Sequence, residues 1–319
     1  MARTNSPSTI AVDPSAPANG GARRQPVLLN LLLSLRPAHW TKNLLVFAGL
    51  LFGQRLRDPA AVTAAVAAFV IFCALSGVIY LVNDIVDRER DQEHPLKSRR
   101  PIASGALPIA VAIAAAALLG TAAIGASAAI GERFAAVAIA YVVLMALYSG
   151  VLKHIVIVDV LTIAIGFVLR AVAGAVVVGV EISHWLLVCT ILLALFIALA
   201  KRRHELVLLA GGATSHRKIL SEYSPYLLDQ MISVVTGATL LSYMFYTISP
   251  ETEQKFGTQW LWVTIPFPLY GILRYLYLVH QREGGGSPAE LLISDRPLLA
   301  CVALWGTVVV LLIYRPFTF

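Results

Sequence analysis

Long apolar runs broken by short polar ones make up most of this chain. Runs near 43–54, 61–83, 106–129, 133–150, 155–179, 184–201, 227–248, 259–280 and 297–315 hold few charges. Most of them approach the roughly 20 residues an α-helix needs to cross a bilayer. They predict nine helices, the first of them short unless Trp40–Asn43 is already helical. Val27–Leu35 is apolar but too short to span, and is predicted to be an interfacial helix with Trp40 following at headgroup depth. The first 25 residues, rich in Ser, Pro, Ala and Gly, lack an apolar core, so a disordered tail is expected there and not a signal peptide. The expected fold class is an all-α polytopic membrane protein, with a tail over 1–25 and one transmembrane catalytic domain over 26–319.

Charge adds an orientation. With the N-terminus cytoplasmic, most of the 25 Lys and Arg residues fall on the cytoplasmic side. The exceptions are Arg55, Arg57, Arg133, Lys255 and Arg315, with Arg170 inside a span. Loops on the other side are short and carry mainly Asp58, Glu132, Glu181, Glu251 and Glu253. The polar chemistry is therefore expected at the cytoplasmic face of a plasma (inner) membrane.

Composition agrees with the pattern. The chain is 58% apolar and 13% charged, whereas a soluble domain is about a quarter charged. Its net charge of +7 resides in short loops between spans, which suits phosphate ligands and anionic headgroups and gives no reason to invoke nucleic acid. Cys73, Cys189 and Cys301 lie inside apolar segments without metal spacing, and read as packing residues.

The most informative polar stretch is Asn83-Asp84-Ile85-Val86-Asp87-Arg88-Glu89-Arg90-Asp91, directly after a long apolar run. On a helix, Asn83, Asp84, Asp87 and Asp91 fall within an arc of roughly 100°. Three carboxylates on one face repel each other unless a cation lies between them. Hard oxygen ligands with open positions suit Mg²⁺, whose shell substrate phosphates complete. Lys97, Arg99 and Arg100 follow closely, stiffened by Pro95 and Pro101, and are candidates for holding those phosphates. A solvated juxtamembrane face is the plainer alternative, and the N-D-x-x-D-x-x-x-D spacing at a membrane boundary weighs against it.

Two further constellations stand out. Tyr148-Ser149-Gly150-Val151-Leu152-Lys153-His154 leads to Asp159 and Arg170, and an ionisable residue inside a span is a functional candidate by default. Asp159 and Arg170 share a face about 16 Å apart in rise, too far for a direct pair. Lys201-Arg202-Arg203-His204-Glu205 is predicted to end the sixth span, where topology and the helix dipole already favour cations. Lys42 and Asn43 sit beside Trp40 at the interface, and Tyr270 with Arg274, at i and i+4, is a candidate for closing the pocket.

Together these residues resemble the UbiA superfamily of intramembrane prenyltransferases from about residue 35 onward. The resemblance rests on Asn83–Asp91, on Pro95…Lys97…Arg100-Pro101-Ile102-Ala103-Ser104-Gly105, and on Tyr148-Ser149…Leu152-Lys153. It implies about nine helices around a central cavity, with two Asp-bearing motifs facing each other and Mg²⁺ holding a diphosphate. Within the family the chain is similar to the decaprenyl-phosphate phosphoribosyltransferases of bacterial cell-wall arabinan synthesis. That likeness is carried by Arg36-Pro37…Trp40…Lys42-Asn43, Tyr80-Leu81-Val82-Asn83-Asp84, Glu93-His94-Pro95, Leu152-Lys153-His154, Leu169-Arg170-Ala171 and Lys201-Arg202. One departure is evident: the family carries a second D-x-x-x-D, but here Asp159 is followed four residues on by Ile163.

The resemblance implies a donor, phosphoribosyl diphosphate, and an acceptor, a polyprenyl phosphate, in a homo-oligomer for which a trimer is one option. Asn83, Asp84, Asp87 and Asp91 are then the metal ligands, and Asp84, Asp87, Asp159 and Lys153 the catalytic group. Lys42, Asn43, Lys97, Arg99, Arg100, Tyr148, Arg170, Lys201, Arg202 and Arg274 are the expected substrate contacts. Two other readings stay open on sequence alone. One is an ordinary prenyltransferase moving a polyprenyl group from its diphosphate to an aromatic or other acceptor. The other is an ion-coupled transporter or flippase using the acidic cluster as an ion site.

Overall fold

The computed structural model describes residues 26–95, 97–181, 183–209, 222–281, 291–292 and 294–314. The expected tail over 1–25, together with Arg217, Lys218, Arg282, Glu290 and Arg315, lies outside them. Eight long helices carry the fold. They are α3 (Pro59–Val86), α5 (Ile109–Ile130), α6 (Glu132–Gly150), α7 (Val158–Val178), α8 (His184–Leu209), α9 (Pro225–Ile248), α11 (Pro266–Gln281) and α12 (Arg296–Tyr314), with the 3₁₀ turn Trp260–Thr264 extending α11. Shorter helices are α1 (Val27–Ser34), α2 (Ala48–Phe52), α4 (Arg88–Glu93) and α10 (Pro250–Phe256). No strand occurs among the described residues.

The first predicted span is the main correction. Residues Pro37–Phe47 form a 3₁₀ helix, and only Ala48–Phe52 is α-helical. The tighter winding rises about 2.0 Å per residue against about 1.5 Å in an α-helix, so the two pieces together still reach roughly 30 Å. The segment threads against α7 at glycines. A Cβ on Gly174 would overlap the Val46 carbonyl oxygen, and one on Gly49 would lie 2.6 Å from Ala175 Cα. Gly174→Ala is therefore expected to cost about 1–3 kcal/mol, since the crossing must open to admit the methyl. Unfolding titrations in mixed micelles against the wild type measure it, and an unchanged midpoint would contradict the close crossing.

α3 and α7 lie at the centre. Half of each one's spanning window is buried inside the protein, against 28% or less in the other six. Both are rich in Ala and Gly on their inner faces, which lets backbones approach where lipid offers no hydrophobic drive. Val46, Phe72, Leu75, Phe134, Ala138, Tyr141 and Ala173 pack between them and α6. A second cluster joins the ends of α7, α8, α9 and α11 through Val160, Phe196, Tyr223, Ile232 and Tyr275. The two most buried helices thus bear the two acidic motifs.

α1 is inverted relative to a soluble surface helix. Asn30 and Ser34 are buried, whereas Leu28, Leu29, Leu32 and Leu33 are exposed. Asn30 donates to the Ala106 carbonyl and Ser34 to the Asn30 carbonyl. An apolar outer face with satisfied inner polar groups suits a helix lying in lipid, as predicted for Val27–Leu35.

α3 matters most for the site. Its 28 residues measure about 42 Å at 1.5 Å per residue, exceeding a hydrocarbon core of about 30 Å. Asp58 caps the start by accepting from the Ala60 and Ala61 amides. The surplus length carries Asn83 and Asp84 out of the apolar zone. α8 also overruns its prediction: it continues past Lys201 to Leu209, so Lys201–Glu205 stands within a helix instead of ending one.

Candidate active site

The site forms where the C-terminal ends of α3, α6 and the α8 extension meet the starts of the Pro37–Phe47 segment, α7 and α9. The acidic stretch is not one uninterrupted helix, because α3 stops at Val86 and α4 starts at Arg88. The turns still stack across this joint. The Asp87 amide donates to the Asn83 carbonyl and the Asp91 amide to the Asp87 carbonyl, each at 2.8 Å.

The repulsion expected on this face is relieved by arginines. Asp84, 3% exposed, accepts from Arg36 Nη2 at 2.5 Å and from Arg100 Nη1 at 3.0 Å. Arg100 Nη1 also reaches Asp91 Oδ2 at 2.6 Å. Arg100, expected to hold a phosphate, therefore bridges two buried carboxylates. Arg36 lies over the Tyr80 ring, 4.6 Å from its centroid. It was not foreseen as a site residue, although an Arg between an apolar helix and Pro37 was a signal.

Asp87 and Asn83 are half-buried and open. Asp87 Oδ2 lies 3.9 Å from Lys153 Nζ, which brings the two motifs face to face. Lys97 and Arg99 form the short 3₁₀ turn after α4, with Arg99 exposed and the Lys97 amide 3.3 Å from His94 Nδ1.

Asp159 and Arg170 do not pair with each other; each anchors its own network. Asp159 is fully buried at the start of α7, accepting from Arg202 Nε at 2.9 Å and from the Tyr223 hydroxyl at 3.0 Å. Arg202 in turn donates to Glu205 at 2.8 Å and to the Tyr148 hydroxyl at 3.3 Å. Tyr148, Asp159 and Arg202 are thus gathered as one unit, with Glu205 and Tyr223 as members the sequence did not single out. Ile163, where the second Asp of the family motif would stand, packs against the core around Val160 and Phe196.

Arg170 belongs to a neutral cage. Its Nε donates to Asn43 Oδ1 at 2.8 Å, Nη1 to the Gly166 carbonyl at 2.9 Å and Nη2 to the Tyr141 hydroxyl at 2.7 Å. Ser76 and Cys73 complete the partners of Asn43. The guanidinium is satisfied by dipoles, so its charge is felt by its surroundings.

Lys42 is the group that feels it. Half-buried, it makes no hydrogen bond or ion pair among the described residues. Its ammonium lies among the positive charges of Lys201, Arg170 and Arg36. Three cations thus gather around Lys42, and an anion entering among them would relieve their repulsion. Lys201 is 47% exposed and lies 3.8 Å from Glu205.

Arg274 stands apart from these contacts. It holds Asp295 at 2.8 Å, tying α11 to the start of α12, and stacks over Tyr277. Tyr270, expected beside it, is exposed. No cluster of three or more His, Cys, Asp or Glu suited to a metal occurs among the described residues. The donor set still fits Mg²⁺, which takes one or two carboxylates and completes its shell with water and phosphate. Asp87 and Asn83 are open to such an ion, with Asp84 behind them.

Fold and site define a polytopic membrane enzyme with cations and carboxylates gathered at one end of its bundle. The chain belongs to the UbiA prenyltransferase family, whose profile matches residues 43–294, and it is a transferase. It is 34% identical to a decaprenyl-phosphate phosphoribosyltransferase of Corynebacterium glutamicum, over 98% of this chain and 94% of that one. A protein of the same name from Mycolicibacterium smegmatis is 34% identical, over 87% and 91%. Among solved structures, a UbiA homolog from Archaeoglobus fulgidus bound to GPP and Mg²⁺ superposes with a TM-score of 0.68 at 20% identity, covering 88% of this chain and 99% of that one. This last likeness is one of fold.

Proposed function

We propose that the enzyme transfers 5-phosphoribose from phosphoribosyl diphosphate to a polyprenyl phosphate of the decaprenyl type, releasing diphosphate. Two observations carry this reading: half-buried Lys42, without a hydrogen bond or ion pair among the described residues, lies among Lys201, Arg170 and Arg36, and Asp87 meets Lys153. A donor with phosphate groups at both ends matches a site in which cations flank a metal-binding face. The names of the relatives support the same donor and acceptor. The apolar Ile163 position supports it too, because half of a second metal site is missing.

In the reaction, an anionic oxygen of the lipid phosphate forms a bond to the ribose anomeric carbon. The bond from that carbon to the diphosphate oxygen breaks, and its electron pair leaves with the diphosphate. No proton need move, so the chain supplies position and charge instead of a general base. Lys153 and Lys97 face the departing diphosphate, and Lys42 and Lys201 the 5-phosphate, with Arg99 at the mouth. Asp159 and Arg202 act behind these residues by fixing the α7–α8 contact, and Asn43 and Arg170 by fixing the Pro37–Phe47 segment. Mg²⁺ held by Asn83 and Asp87, with Asp84 and Asp91 behind them, would neutralise charge on the leaving diphosphate. Inversion gives the β-linked polyprenyl phosphoribose, a precursor for cell-wall arabinan. The mouth faces the cytoplasm across the bacterial inner membrane.

Donor-induced stabilisation tests the assignment. At 100 times its dissociation constant, phosphoribosyl diphosphate should stabilise the fold by about 2.7 kcal/mol, and EDTA should remove the effect. A rise with geranyl diphosphate and none with phosphoribosyl diphosphate would favour the ordinary prenyltransferases. Lys42→Ala should raise KM for the donor, and Lys42→Arg should retain more of the affinity because it keeps the positive charge.

A further inference from the structure

We propose that Tyr223 is a positioning residue that holds the turn carrying Lys153 in its working shape, an inference that rests on the donor-binding role of Lys153 proposed above. Residues 151–157 connect α6 to α7, and Lys153 sits in their short 3₁₀ turn, Leu152–His154. The connection ends at Ile157, whose φ of 70° and ψ of −43° place a β-branched residue where L side chains rarely go. Such a conformation persists only when its surroundings over-determine it, and it occurs preferentially at functional sites.

Here, among the described residues, a phenol holds the amide of the strained residue. The Ile157 amide donates to the Tyr223 hydroxyl at 2.7 Å, and that hydroxyl donates to Asp159 Oδ1 at 3.0 Å. Asp159 is held on its other oxygen by Arg202 of α8. Tyr223 is 4% exposed, with its ring packed among Val160, Phe196 and Leu228, so the hydroxyl is delivered from a rigid wall. One oxygen atom therefore couples three things: the strained joint, the buried acid of α7 and the cation of α8. The φ of Ile157 sets the direction in which the chain leaves α7 toward Lys153. Released from the phenol, Ile157 can relax to negative φ, and the four preceding residues swing with it. Lys153 Nζ then leaves its place 3.9 Å from Asp87.

The tests are Tyr223→Phe, Ile157→Gly and the double variant, in the full-length protein in detergent. Tyr223→Phe should lower kcat for phosphoribosyl transfer about ten- to a hundredfold, the scale of misplacing a catalytic group by about 1 Å. KM for the lipid acceptor should stay within about twofold, since no lipid contact is touched. Ile157→Gly has no penalty at positive φ and needs no clamp. In the double variant it should restore most of kcat. Amide exchange over 151–159 should also be faster in Tyr223→Phe than in the wild type. Unchanged exchange, an unchanged kcat, or a loss that Ile157→Gly does not relieve would each overturn the proposal. A wild type without phosphoribosyl transfer would refute the functional reading instead, and the exchange measurement would still decide whether the clamp exists.

Discussion

Asp87→Ala should reduce transfer to below about a thousandth of the wild-type rate, the scale of losing a principal source of transition-state charge stabilisation. The protein should keep its helix content and melting temperature. Asp87 suits this test because of its surroundings. Its side chain is 32% exposed, and its one ion pair among the described residues is the 3.9 Å contact with Lys153. A partly exposed pair of that length contributes about 0–1 kcal/mol. Asp84 is a poorer probe, since it is buried beneath both Arg36 and Arg100. Removing it takes the carboxylate from Arg36, leaves Arg100 with Asp91 alone, and mixes loss of fold with loss of chemistry. Near-normal turnover in Asp87→Ala would remove the metal-binding role from this face.

Asp159→Ala should destabilise the fold by about 3–5 kcal/mol, the cost of leaving a buried charge without its partner. Arg202 is 4% exposed and would keep Glu205, itself partly exposed, as its carboxylate and the Tyr148 hydroxyl as a neutral partner, while the Tyr223 hydroxyl would lose its acceptor. The double variant Asp159→Leu with Arg202→Met should recover much of that loss, because an apolar pair of similar volume pays no desolvation. Unfolding titrations in mixed micelles compare the variants. A single variant as stable as the wild type would show that the pair is not the fastening of α7 to α8.

Much of this was legible in the sequence. The apolar runs located the eight long helices because hydrocarbon leaves the backbone few alternatives. The carboxylates at Asn83–Asp91 were legible because their spacing lies within about two turns of helix. What could not be read were pairings between elements. Arg36 meets Asp84 across 48 residues and Tyr223 meets Asp159 across 64, and no period in the chain encodes either. The 3₁₀ winding of Pro37–Phe47 was hidden as well. The segment it winds passes Gly174, more than a hundred residues away, where the missing Cβ leaves room for the Val46 carbonyl. The pairing of Arg100 was hidden for a related reason: composition places a cation near phosphate, but only packing shows that it also bridges Asp84 and Asp91.

The most direct measurement is transfer itself. Purified protein in detergent is given Mg²⁺, a polyprenyl phosphate and phosphoribosyl diphosphate labelled in the ribose, with EDTA in a parallel reaction. Label should pass into the lipid fraction with Mg²⁺ and stay in the aqueous phase with EDTA. An unlabelled lipid fraction, together with turnover of a polyprenyl diphosphate onto an acceptor, would contradict the phosphoribosyl assignment and leave an ordinary prenyltransferase in its place.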